Sequence, residues 1–157
     1  MSKLLNIALG FVVGMVVVGV AGWNMMPGMM LEERLSPYSM EKTVSTIKEN
    51  ALAEGWVVPS IKPLHKSVKK HGGGDVLPVM LVNLCQAHHA AKMLGDDTAR
   101  VVSVFMPCTI SVYKKADGKV YISSMNAALL GKMFGGIVSV VMGEVSVDQQ
   151  KFIAFAK

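Results

Sequence analysis

No charged residue occurs between Leu4 and Leu31, and that run constrains the fold more than any other feature of the chain. Leu4 to Trp23 alone provides the ~20 consecutive apolar positions a helix needs to cross a bilayer. Burying such a helix in water would take a second core, and 157 residues provide one ordinary domain plus an appendage. The sequence therefore predicts an N-terminal transmembrane anchor over 1–26, a juxtamembrane linker over 27–38 and a soluble domain over 39–157. A cleavable secretion signal is the competing reading, carried by Lys3, the apolar stretch and Gly19-Val20-Ala21. The length of the run, its weakly basic start and Trp23 at the place of an interfacial aromatic favour a retained anchor.

The start of the chain carries an α-amine and Lys3, while the far flank carries Glu32, Glu33 and Arg34. The positive-inside bias then predicts a single-pass protein whose domain is periplasmic or extracellular. Gly10 and Gly14 form a GxxxG that permits close helix pairing, although such glycines are common in membrane helices. Trp23 to Met30 is expected to break the helix at Pro27 and Gly28 and gathers four methionines. Soft thioethers can hold Cu(I), but with no Cys or His beside them they read as flexible apolar side chains in the interfacial zone.

Net charge is +5, yet the positive residues are dispersed. The densest group is Lys66, Lys69 and Lys70 between His65 and His71. It lacks the interleaved aromatics of a nucleic-acid face, so nucleic acid is excluded as a partner. Gly72 to Gly74 is a loop without the Lys and Ser/Thr of a phosphate-binding motif.

In the soluble part, Ser39 is expected to cap a helix in which Met40, Val44, Ile47 and Ala51 recur at helical spacing, stopped by Gly55. Trp56 to Val58 reads as a short strand ended by Pro59, and Ile61 to Lys70 as a short helix. Leu77–Leu84 and Val101–Met106 read as two buried strands flanking a helix over Gln86–Leu94, a parallel pair with a crossover. Thr109–Lys114 and Lys119–Ser123 form a hairpin about Ala116-Asp117-Gly118. Asn126 is expected to cap a helix through Phe134. Ile137–Met142 is an apolar run of undetermined type, and Asp148 caps a last helix holding Phe152 and Phe155. The fold class is α+β: a single compact domain with a mixed sheet packed by helices, preceded by one transmembrane helix.

The candidate site lies at the ends of the two apolar runs. Cys85 is expected in the first turn of its helix, where the helix dipole lowers a thiol pKa. His88 and His89 follow at three and four residues and reach the same face. Cys108 arrives from the next strand. These four side chains form a soft-to-borderline ligand set suited to Cu or Zn, and with Met106 the histidines are candidates for a non-covalent haem. Covalent haem lacks its CxxCH motif, and a hydrolase lacks a nucleophile elbow. Three accounts stay open: a disulfide or redox pair, with Cys85 attacking and Cys108 resolving; a metal or haem site; and inert core cysteines.

At these residues the chain resembles a family. Leu84-Cys85, an Ala- and His-containing helix, Met106-Pro107-Cys108-Thr109-Ile110, Tyr113 and Asp117-Gly118-Lys119-Val120 are similar to domain-of-unknown-function family 302. Ser36-Pro37-Tyr38 and Gly55-Trp56 resemble that family's opening, so the likeness runs from Ser36 to Lys157. Commoner members place Asn-Pro after the first cysteine, where this chain has Gln86-Ala87. The resemblance implies a compact α+β domain, often dimeric, and supplies no activity.

The expected function is a membrane-anchored, non-hydrolytic binding or redox-relay domain with a paired-cysteine site. The partners expected are the membrane and a second copy or a membrane protein complex. The alternative is an accessory subunit of such a complex in which the cysteines are inert.

Overall fold

The computed structural model describes residues 2–157; Met1, counted in the expected anchor, lies outside them. Helix α1 runs over Ser2–Met30 and contains an apolar span, Leu5–Met26, of mean hydropathy 2.2 that is long enough to cross a membrane and has none of its residues buried by the domain. It does not break at Pro27. Its last carbonyls are satisfied instead by Asn126, whose backbone N–H donates to Met30 O (2.8 Å) and whose Nδ2 donates to Met29 O (3.1 Å), so the helix persists to Met30. No linker separates it from the domain, because β1 follows at once over Leu31–Leu35.

The rest is one α+β domain. Its elements are α2 (Met40–Ala53), β2 (Val57–Pro63), α3 (Leu64–Lys70), β3 (Val79–Cys85), α4 (Ala87–Leu94), a 3-10 helix (Arg100–Phe105), β4 (Cys108–Lys114), β5 (Val120–Met125), α5 (Ala127–Phe134) and α6 (Gly136–Phe152). The strands form a single sheet in the order β1-β5-β4-β3-β2, and every neighbouring pair is antiparallel. The expected parallel pair is therefore not present. Val101–Met106 is not a strand: Asp96 Oδ1 accepts from the N–H of Thr98 and Ala99 and nucleates a turn that continues as the 3-10 helix. Pro107 bars Met106 from helical geometry, and β4 starts one residue later.

Sequence and fold agree where local chemistry is strong. Ser39 Oγ accepts from Lys42 N, Met40, Val44, Ile47 and Ala51 are buried, and Gly55 adopts φ +76°. The β4–β5 hairpin turns through Gly118 (φ +76°), and Asn126 Oδ1 accepts from Leu129 N. They part where tertiary packing decides. β2 runs through Pro59 to Pro63 with a register shift between Val57 and Ser60, tolerated because β2 is an edge strand. This leaves only Leu64–Lys70 as helix. Asp148 caps nothing: Val138, Val141, Met142, Val145, Gln149 and Phe152 recur every three or four residues and are all buried, so Gly136–Phe152 is one helix. Its close approach to α5 depends on Gly131, where a Cβ would lie 2.7 Å from that of Met142.

Pleat alternation gives the sheet two unlike faces. Val82, Leu84, Ile110, Val112, Val120 and Ile122 point into the core under α2, which packs on β2, β3 and β4 and against α6. The other face carries Glu33, Asn83, Tyr113 and Tyr121.

Candidate functional site

The antiparallel pairing brings Cys85 and Cys108 to one edge for a reason the sequence reading did not contain. Leu84 is directly opposite Cys108, so the carboxyl end of β3 meets the amino end of β4. Strand spacing then places the two cysteine Cα atoms ~6 Å apart. Cys108 shares the core face with Ile110 and Val112. Cys85, the last residue of β3, lines the same pocket. Neither is in a disulfide.

Cys85 is not in the first turn of α4. Gln86 is the N-cap, and its Oε1 accepts from His88 N (2.6 Å) and His89 N (3.2 Å), so the helix end is satisfied by an amide rather than directed at a thiol. Burial pushes the Cys108 thiol up to about 11, with the neighbouring Cys85 acting in the same direction. Cys108 is thus held as the protonated thiol at neutral pH.

The histidines do not join the cysteines as a ligand set. His88 is exposed. His89 faces α6, with Nδ1 3.3 Å from Glu144 Oε2 and Nε2 4.0 Å from Asp148 Oδ2. The Glu144 contact is too poorly aligned for a hydrogen bond, which leaves Nδ1 buried without a partner. The Asp148 carboxylate also accepts from Trp56 Nε1 at 3.0 Å and Lys151 Nζ at 3.0 Å. Among the described residues no group of three or more His, Cys, Asp or Glu side chains is arranged to hold a metal ion.

The structure instead closes an apolar pocket over the cysteines. Cys85, Cys108, Met106 and Pro107 form one wall, α4 and its N-cap Gln86 supply a second with His89, Ala90 and Met93, and α5 and α6 complete it with Leu130, Phe134, Val138 and Val141. The free space is about 50 Å³. That is several times what one water occupies (~10–15 Å³) and far below what a haem macrocycle needs. Met106 lines it beside the 3-10 residues Val102 and Phe105. Of this lining, sequence reasoning named Cys85, His89, Met106 and Cys108, and it missed Ala90 and Met93 of α4 and Val138 and Val141 of α6. Their three- and four-residue spacing marks a buried helix face but does not separate a pocket wall from ordinary core. A larger groove of about 570 Å³ between α2, α3 and β3, lined by Lys48, His65 and Lys66 among others, is wide and open and contains none of the predicted site residues.

Residues 32–154 match the family model described as domain of unknown function DUF302. The chain belongs to the DUF302 family. A crystal structure described as an uncharacterized conserved DUF302 protein from Bacillus stearothermophilus superposes with a TM-score of 0.72 at 18% identity, over 82% of this chain and 99% of that one. At that identity the likeness establishes the DUF302 fold alone. No curated protein matches the chain significantly. The matched region begins inside β1, so α1 is an addition ahead of the DUF302 domain.

Proposed function

We propose that the protein is a membrane-tethered binding module whose pocket takes the slender apolar end of a small ligand, with the Cys85 and Cys108 thiols as the soft polar groups at its wall. The observation that carries this reading is the lining: apart from the two thiols, only Gln86 and His89 bring side-chain polar atoms other than the Trp56 indole N–H, which is already bonded to Asp148. A concave apolar surface gains from any hydrocarbon that displaces poorly held water. The anchor reading rests on the uncharged run of α1, and the charge bias across it supports a domain outside the cytoplasm.

Methyl NMR with a series of straight-chain alcohols tests the pocket. Each added CH₂ is worth ~0.8 kcal/mol when buried, so affinity should rise about fourfold per carbon until the tip fills the space. The saturable shifts should be confined to Met93, Val102, Val138 and Val141, and Ala90→Phe should abolish them. Shifts that never saturate, or that spread evenly over the domain, would defeat the proposal.

A second reading is favoured by the pairing of Leu84 with Cys108, which sets Cys85 and Cys108 diagonally across neighbouring strands, where ordinary strand spacing gives a Cα separation of ~6 Å, within disulfide reach. Here the two thiols react with a disulfide acceptor, forming the Cys85–Cys108 bond while the acceptor is reduced to two thiols. Incubation with oxidised glutathione followed by mass spectrometry should show the loss of two hydrogens and no adduct. Persistence of both free thiols, or a stable glutathione adduct on one, rules this reading out.

A further inference from the structure

Following the strands from the anchor shows which end of the domain lies nearest to it. α1 enters β1 at Leu31, and Leu31 pairs with Met125, the last residue of β5. β4 runs opposite to β5 and β3 opposite to β4, so the start of β4 at Cys108 and the end of β3 at Cys85 lie at that same end of the sheet. The chain on either side of these points therefore gathers there: the 3-10 helix runs into β4, and α5 leaves β5 beside the Asn126–Met29 and Asn126–Met30 hydrogen bonds.

This end carries apolar side chains that the domain leaves uncovered. On the 3-10 helix, Val101 and Val104 are 70% and 78% exposed and, three residues apart, share a face. Phe105 stands edge-on to Phe134 of α5 with ring centroids 6.0 Å apart, and Met133 and Phe134 are 59% and 50% exposed. Two cations flank the group, Lys132 on α5 and Arg100 on the 3-10 helix, the latter paired with Asp97 at 2.9 Å. The opposite end, the hairpin turn with Lys115, Asp117 and Lys119, is charged. Scattered exposed apolar residues need no explanation, but a joined set on two neighbouring elements, at the end from which a membrane-length helix departs, does.

We propose that Val101, Val104, Phe105, Met133 and Phe134 form a lipid-docking face that rests in the headgroup region of the bilayer crossed by α1. The inference rests on the anchor reading. Given an anchor, two features select lipid over a protein partner. The polypeptide passes from α1 to β1 without a linker, so the domain cannot stand far off the surface. The apolar face with flanking cations also has the character of an interfacial insert. Docked in this way, the mouth of the pocket beside Phe105 and Phe134 lies at the interface, where an amphiphile's apolar end is already concentrated.

The test uses the full chain in liposomes of phosphatidylcholine and phosphatidylglycerol doped with a phospholipid bearing a diazirine on its acyl chain. After irradiation and digestion, lipid adducts should fall on α1 and on peptides containing residues 101–105 and 133–134, and be absent from the hairpin 114–120. Val104→Asp, with an unchanged circular dichroism spectrum, should lower the adducts on its own peptide about tenfold or more. Adducts confined to α1, in protein that resists carbonate extraction, overturn the docking and leave the anchor standing. Release by carbonate with no adducts anywhere removes the anchor and the docking with it. Absence of lipid adducts from residues 101–105 together with cross-linking of differently tagged copies through this face gives it to a second copy and overturns the proposal.

Discussion

At the end of the sheet nearest α1, Leu84 is fully buried opposite Cys108, and the thiol beside it is held in its protonated form by burial. At the far end, one strand turn away, Tyr113 and Tyr121 lie ring to ring with centroids 6.1 Å apart. There Tyr113 OH donates to Glu33, Lys115 Nζ reaches Glu33 Oε2 at 2.7 Å, and Tyr121 OH donates to Asp117 Oδ2 at 2.8 Å. The same two strands, β4 and β5, pass through both surroundings. The difference is one of face as well as of end. Leu84 and Cys108 lie on the covered face, with α4, α5 and α6 around the pocket, while Tyr113 and Tyr121 lie on the uncovered face, where exposed charge meets water; Val112 and Val120 on the covered face stay buried even at the far end. Burial energy and ligand chemistry concentrate on the covered face, and solubility on the uncovered one.

The largest expected effect comes from opening the enclosed end. Leu84→Ala removes a side chain with no exposed area from beneath the pocket and should cost about 2–5 kcal/mol, the range for truncating a buried leucine. Thermal unfolding of the full chain in detergent measures it, with Tyr113→Phe as the far-end control. Equal losses from the two substitutions would break the contrast between the ends.

Raising the pH acts on the same end through Cys108. Its thiol titrates at about 11 when folded, against an ordinary value of 9.0, so the unfolded chain loses this proton first. The stability it contributes is whole below about pH 9 and is lost as pH rises from there through about 11. Two pH units correspond to an effect on the order of 2–3 kcal/mol. Cys108→Ala should flatten the alkaline limb of a Tm-against-pH curve, and an unchanged limb would show that the thiol does not sit in apolar surroundings.

How much of this contrast was legible in the sequence follows from the range of the forces involved. Ser39, Gly55, Asn126 and the Asp117-Gly118 turn act within four residues, and each was read correctly. Val101–Met106 was misread because a short aliphatic run has no period of its own; what decides it is the Asp96 cap before it and Pro107 after it. The strand directions were misread for a related reason. A helix between two apolar runs suggests a crossover, yet here α4 and the 3-10 helix only bridge an antiparallel pair. The cysteines fall at one edge nonetheless, but for another reason: Cys108 opens β4 instead of closing the Val101–Met106 run, and antiparallel pairing sets the start of β4 beside the end of β3. His88 and His89 were offered as ligands on helical spacing alone, and nothing local reveals that Glu144 and Asp148, more than 50 residues away, face His89 instead.

At the junction with α1, Asn126 makes three contacts with one side chain and one backbone amide, capping α5 through Leu129 N and holding the carbonyls of Met29 and Met30. Asn126→Ala should cost ~1 kcal/mol, the usual value of a helix cap. It should also raise hydrogen exchange at Leu129 without altering exchange in the far hairpin. Exchange that rises equally at both ends would mean the two are one cooperative unit.

The smallest effect belongs to the far end and runs the other way with pH. Hydrogen bonds from Lys115 and then Tyr113 hold the Glu33 carboxyl below its ordinary value of 4.5. A carboxylate with a depressed folded pKa contributes stability that is present above its unfolded pKa and disappears as pH falls through the folded one. Glu33→Gln should therefore lower Tm slightly at neutral pH and leave it unchanged at low pH, where the native carboxyl is also neutral. The difference should be small because the pair is open to water and salt screens it, and raising the ionic strength at neutral pH should shrink it further. The part of the alkaline limb that Cys108→Ala removes should not respond to salt in the same way, since burial rather than a solvated charge is its main cause. If salt moved both limbs alike, the enclosed end would have to be as wet as the open one.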